Sequence, residues 1–187
     1  MVSSSVSFIP ASELALQWDT AVEFGILEGV FPSHLQDART EIAERLVRLG
    51  NAVPEDVELG YHLCYGDSGH RHFVEPQDTK LLVEVANAIA DNLNRPLHWI
   101  HMPIPRDRDD EAFFLPLKSL NLSADTELYI GLVHITDGVA GTERRIRAAQ
   151  AVISDFGVAT ECGFGRRPVE TVAELLQIHK TVVQTFN

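Results

Sequence analysis

The chain has 187 residues, enough for one domain with a substantial core and few for two. A formal charge of −12 and a hydrophobic fraction of 45% fit a globular protein and argue against a nucleic-acid backbone or an anionic membrane surface as the main partner. With only Cys64 and Cys162 there is no disulfide framework of the secreted type, no basic segment leading into an apolar stretch at the first residues, and no run of membrane-spanning length, so a reducing cytosol is the expected compartment.

In chain order, Leu14-Ala15-Leu16-Gln17-Trp18-Asp19 is the first predicted strand. An amphipathic helix is expected over residues 36–49, with Ile42, Leu46 and Leu49 on one face and Gly50-Asn51 ending it. The second strand starts at Glu58 and runs through His62 and Cys64 into the glycines Gly66 and Gly69. Residues two apart on a strand share a face, so His62 and Cys64 project together, as half of a zinc site or as ordinary inward-facing residues.

Pro76 suits the first turn of a helix carrying Leu81, Leu82, Val85 and Ile89. Residues 97–102 form a third strand, stopped by Pro103 and Pro105, and a helix over 111–120 is interrupted by Pro116. A strongly apolar strand over 128–135 precedes a helix over 142–156 with Ile146, Ala149 and Ile153 aligned. A fifth strand over 158–162 leads into Gly163-Phe164-Gly165-Arg166-Arg167, and a helix over 168–186 follows.

The expected fold is therefore α/β, a single domain over residues 1–187 with about five parallel strands alternating with helices. The strand spacing suits a partial (β/α) TIM-barrel-like arrangement, with a doubly wound open sheet as the competing architecture. In both, chemistry gathers at the C-terminal strand ends. There stand Asp19, His62 and Cys64, His101, His134, and Cys162, a concentration that scattered placement would not give.

The series Gln17-Trp18-Asp19, His62-Leu63-Cys64-Tyr65, Val133-His134-Ile135-Thr136 and Glu161-Cys162-Gly163, with Arg166 just beyond, resembles the C-terminal barrel of cobalamin-independent methionine synthase, in the superfamily shared with uroporphyrinogen decarboxylase. The resemblance implies catalytic zinc on His62, Cys64 and Cys162, with His101 where the family places a glutamate. It further implies that Asp19 helps hold an amino-acid thiol and that His134 donates a proton near the methyl-transfer centre. Zinc would keep a substrate thiol as thiolate for attack on a methyl or alkyl group, from a folate-like donor in that family.

Only the later part of the family's barrel is matched, which implies pairing with a second copy or a partner chain, a smaller closed arrangement, or a shortened gene product. Two other readings are a metal-free lyase or decarboxylase, with Arg71, Arg166 and Arg167 holding carboxylates of a small-molecule substrate, and a non-catalytic half-barrel serving as an assembly module. Gly163-Phe164-Gly165 reads as a tight turn exposing Arg166, since Pro168 stands where a dinucleotide loop needs glycine. His70 and His72 are read as loop residues, 106–111 as a solvated charge run, and Trp18 and Trp99 as packing. No Gly-x-Ser-x-Gly elbow supports a serine hydrolase.

Overall fold

The computed structural model describes residues 9–69 and 71–186. Five short strands, β1 (Ala15–Asp19), β2 (Glu58–His62), β3 (Trp99–Pro103), β4 (Glu127–Val133) and β5 (Gly157–Thr160), form one sheet. Every pairing is parallel, and the spatial order is the chain order, β1 to β5. A doubly wound sheet reverses its strand order at a switch point; this one never does. The architecture is an open α/β sheet of the partial TIM-barrel type.

Six helices connect or follow the strands: α1 (Ala21–Leu27), α2 (Ala38–Asn51), α3 (Lys80–Ala90), α4 (Glu111–Phe114), α5 (Gly138–Gln150) and α6 (Val169–Phe186). Alternate strand residues, Leu59 and Tyr61, Ile100 and Met102, Ile130 and Leu132, are buried in the main core. Tyr61 marks that face as the helix side, because its hydroxyl donates to the Leu46 carbonyl of α2 at 2.8 Å. The register lines up Asp19, His62, His101, Tyr129 and Gly157 across the other face, with Gln17, Gly60, Trp99 and Glu127 one step earlier. Gln17, Asp19 and Glu127 are exposed, so the concave face of the sheet is open and polar.

Several boundaries differ from the sequence reading. Helix α1, directly after β1, was not anticipated. Helix α2 runs through Gly50 and Asn51 instead of ending before them: Gly50 is buried beneath Tyr61, and a Cβ there would lie 2.3 Å from the phenol oxygen. This glycine allows close packing and does not terminate the helix. Helix α3 starts at Lys80, not at Pro76, with Thr79 as its N-cap residue and the Thr79 N–H bonded to the Phe113 carbonyl at 3.1 Å.

Pro103 is the last residue of β3, paired with Gly131, and does not stop the strand ahead of itself. Pro116 stands where α4 gives way to a 3-10 turn over Leu115–Ser119, as the interrupted helix required. Helix α5 starts and ends earlier than expected, and β5 ends at Thr160, which puts Cys162 in the following loop. None of the described helices is long and apolar enough to cross a membrane.

Candidate metal centre

His62 closes β2 and is held from both sides. The Thr20 hydroxyl and N–H both donate to its carbonyl, at 3.1 and 3.2 Å, while the next N–H, from Leu63, reaches the His101 carbonyl at 2.9 Å. Its imidazole is 3% exposed, and neither Nδ1 nor Nε2 makes a hydrogen bond. Cys64 lies just past the strand, also buried, with its sulfur accepting the Gly66 N–H at 3.3 Å. Cys162 follows β5, its carbonyl bound by the Thr160 hydroxyl at 2.7 Å. The ligand atoms of His62, Cys64 and Cys162 all lie within 4.8 Å of one another, although the two cysteines stand 98 positions apart in the sequence.

The two thiols do not ionise alike. Cys162 is pushed down, first by the adjacent Cys64 thiol and then, against burial, by the His62 imidazole. Cys64 is pushed up by Cys162, by burial and by the nearby Asp19 charge. The pair therefore holds one thiolate readily and resists a second, which a divalent cation between the sulfurs would reverse. An imidazole and two sulfurs are a soft N/S donor set of the kind zinc takes, and the empty hydrogen-bonding capacity of His62 fits a ligand role.

Gly66 shapes this corner. Its φ is +81°, and a Cβ would come within 2.7 Å of the Phe73 ring. Gly66→Ala is expected to lose roughly 1–2 kcal/mol from the left-handed backbone alone, more with the clash. A lower urea midpoint together with weaker metal binding would show that the turn and the Cys64 sulfur move together.

His101 sits beside His62 in the sheet, as the rim position implied, and the rings stack at 4.5 Å and 17°. Its Nε2 donates to the Thr160 carbonyl at 2.9 Å, leaving only Nδ1 for any other bond. Burial first, then the charge of His62, pushes its pKa down to about 3 against the Thr160 bond. Among the described residues, the group of closely placed ligand atoms comprises the other three side chains and not His101.

His134 is buried beyond β4. Its Nε2 donates to the Ile104 carbonyl at 2.9 Å and its Nδ1 meets the Glu161 carboxylate at 2.5 Å. Glu161 also receives Arg167 at 2.8 Å. Burial pushes the Glu161 carboxyl up, but the His134 hydrogen bond and the charges of His134 and Arg167 carry it below its usual value. Asp19 is exposed on the concave face next to His62 in register.

Arg166 is exposed, as read; Arg167 is the one that turns inward, its side chain 6% exposed. Glu161 and Arg167 had no assigned part with Cys162 and His134 in the sequence reading. Glu161 is adjacent to Cys162 in a strand-like run, so alternation alone could have drawn it to the opposite side of the chain.

The remaining loop residues are more engaged than expected. His72 is not solvent-facing; it is largely buried and meets Glu75 at 3.2 Å, while His70 lies outside the described residues. The charge run 106–111 is paired, with Arg108 on Asp110 and Arg144 on Asp109, and Asp110 caps α4 through the Phe113 N–H. Trp99 donates to Gln17 across the concave face at 2.9 Å, beyond simple packing. The Gly163–Gly165 segment does form a turn, closed by the Arg167 N–H on the Phe164 carbonyl.

No family model and no curated protein matches the chain. Among solved structures, it is similar to one described as a vitamin-B12-independent methionine synthase from Listeria monocytogenes, at 18% identity and a TM-score of 0.55. That match covers 89% of this chain and 48% of the other, so the chain spans about half of that structure. A B12-independent methionine synthase from a Shewanella species, in complex with selenomethionine, is matched at 12% identity and a TM-score of 0.48, over 91% of this chain and 62% of that one. At 18% identity the likeness to the Listeria structure is one of fold.

Proposed function

We propose that His62, Cys64 and Cys162 hold one zinc ion and that the chain serves methyl or alkyl transfer to a thiol. The observation carrying this reading is the His62 imidazole, buried within 4.8 Å of two sulfurs with both nitrogens unbonded. Burying such a group without a partner costs on the order of 1–3 kcal/mol, and a metal bond removes the cost. Bound there, zinc supplies the Lewis acidity that keeps a substrate thiol ionised near neutral pH.

The chain's own residues take the other parts. The Gly66 N–H holds the Cys64 sulfur and the His101 ring stacks on that of His62, orienting two of the three donors. In this reading Asp19, exposed on the same face beside His62, holds a cationic group of the substrate. Transfer forms a carbon–sulfur bond and breaks the donor's bond to that carbon, and the departing atom takes a proton. His134 takes the proton-donor role in this reading: Glu161 stays against Nδ1, and Nε2–H must leave the Ile104 carbonyl to reach the departing atom.

The open polar concave face supports a second copy or partner chain completing the barrel. Elemental analysis of protein purified without chelator, run beside its mass in solution, tests both points. About one zinc per chain is expected; metal-free protein with freely alkylated Cys162 would end the reading, and a metal-free monomer without activity would favour an assembly role.

A further inference from the structure

A cavity of about 520 Å³ opens beside Glu161 and His134, walled by the loops after β2, β3 and β4 and by Arg167. Its cations are not equally committed. Arg106 pairs with Asp107 and Arg108 with Asp110, at 3.2 and 2.9 Å. Of the acids, Glu75 faces His72, Glu161 is shared by His134 and Arg167, and Asp67 stands in the same wall.

Two guanidinium groups have capacity left. The Arg167 side chain is 6% exposed, gives one Nη2 bond to Glu161, and its buried Nε has no hydrogen-bond partner. Arg71 lines the same cavity, is exposed, and forms no ion pair among the described residues. A guanidinium donates in a planar fork that matches carboxylate and phosphate oxygens. A buried Nε left without an acceptor is costly unless a ligand supplies one.

We infer that this cavity binds the anionic group of a small molecule, a carboxylate or phosphate, gripped by Arg167 from the buried wall and by Arg71 from the rim. The chain's overall charge of −12 makes such a pocket a local exception, so binding depends on these two cations and not on a general field. His134 closes the wall with both nitrogens turned to protein acceptors, which leaves anion capture to the arginines. Arg166, one residue away, lies outside the cavity lining.

The test is calorimetric titration of the full chain with succinate and, separately, inorganic phosphate. Saturable binding of at least one probe is expected, and the preferred probe identifies the oxyanion class. Arg71→Ala should weaken it about tenfold, the effect of losing one charge-assisted contact. Arg167→Met should abolish it, Arg167→Lys should restore part of it, and Arg166→Ala should leave it unchanged. Binding should persist in Cys162→Ser, which keeps this outcome separate from that of the zinc reading. If Arg167→Met proves unfolded, the comparison of Arg71→Ala with Arg166→Ala decides alone. No saturable binding of either probe, or equal losses in those two variants, would overturn the inference.

Discussion

Cys162→Ser is expected to reduce bound zinc from about one per chain to nearly none, with an affinity loss beyond the ~10–100-fold that follows removal of an outer-shell partner. Serine keeps the volume but offers a hydroxyl that stays protonated near neutral pH. The remaining His62 and Cys64 would then be a two-point site. His101→Gln is the informative contrast. Its Nε2 is committed to the Thr160 carbonyl and it touches His62 by stacking. It should therefore cost only the outer-shell amount; a loss as deep as that of Cys162→Ser would make His101 a ligand through Nδ1. Elemental analysis and competition with a chromophoric chelator read both variants on one scale.

Arg145→Met is expected to be the most destabilising single change outside the metal centre, by about 3–5 kcal/mol. The Arg145 side chain is fully buried and makes four bonds: Nε to the Leu132 carbonyl, Nη1 to the Arg106 carbonyl, and a two-pronged contact with Asp137 at 2.6 and 2.8 Å. Methionine fills similar space but removes all four bonds, leaving Asp137 only the longer Arg144 contact at 3.7 Å. The pair also has a pH signature. Burial pushes the Asp137 carboxyl up, but Arg145 outweighs this and holds it below its ordinary value. A carboxyl lowered in the folded state binds fewer protons there than in the unfolded chain. Its contribution is present above the unfolded pKa and is lost as pH falls through the folded one. Urea unfolding across acidic pH should show a shallower acid loss in Arg145→Met than in the parent chain. An unchanged midpoint would mean that Arg145 does not bind the β4 end to the loop bearing Arg106.

The strands were legible because parallel strands buried on both faces read as apolar runs, and 128–135, buried without a break from Ile130 to Val133, was the plainest of them. The candidate ligands were legible for a related reason. His62, Cys64 and Cys162 all stand where an apolar run gives way to glycines, and such places are strand ends at the functional rim. Helix α1 escaped notice because seven residues carrying only Phe24 and Gly25 as buried positions hold too little periodicity.

The inward turn of Arg167 depended on the bond from its N–H to Phe164, and two adjacent arginines give no sign of which will turn. His101 was placed correctly on the rim, but the claim on its Nε2 comes from a backbone carbonyl 59 residues away. Side-chain identity in the sequence says nothing about such an acceptor.

The unbroken succession of strands has a consequence for how the chain is made. Each β–α unit can settle on the one synthesised just before it, so no early strand must wait for a later one beyond its neighbour, a topology that favours vectorial assembly from the ribosome. The sulfur that completes the cluster arrives only with the last strand. Metal uptake would thus follow the pairing of β5 with β4, and a chain stalled before Thr160 would present its first sulfur and imidazole with nothing to close them.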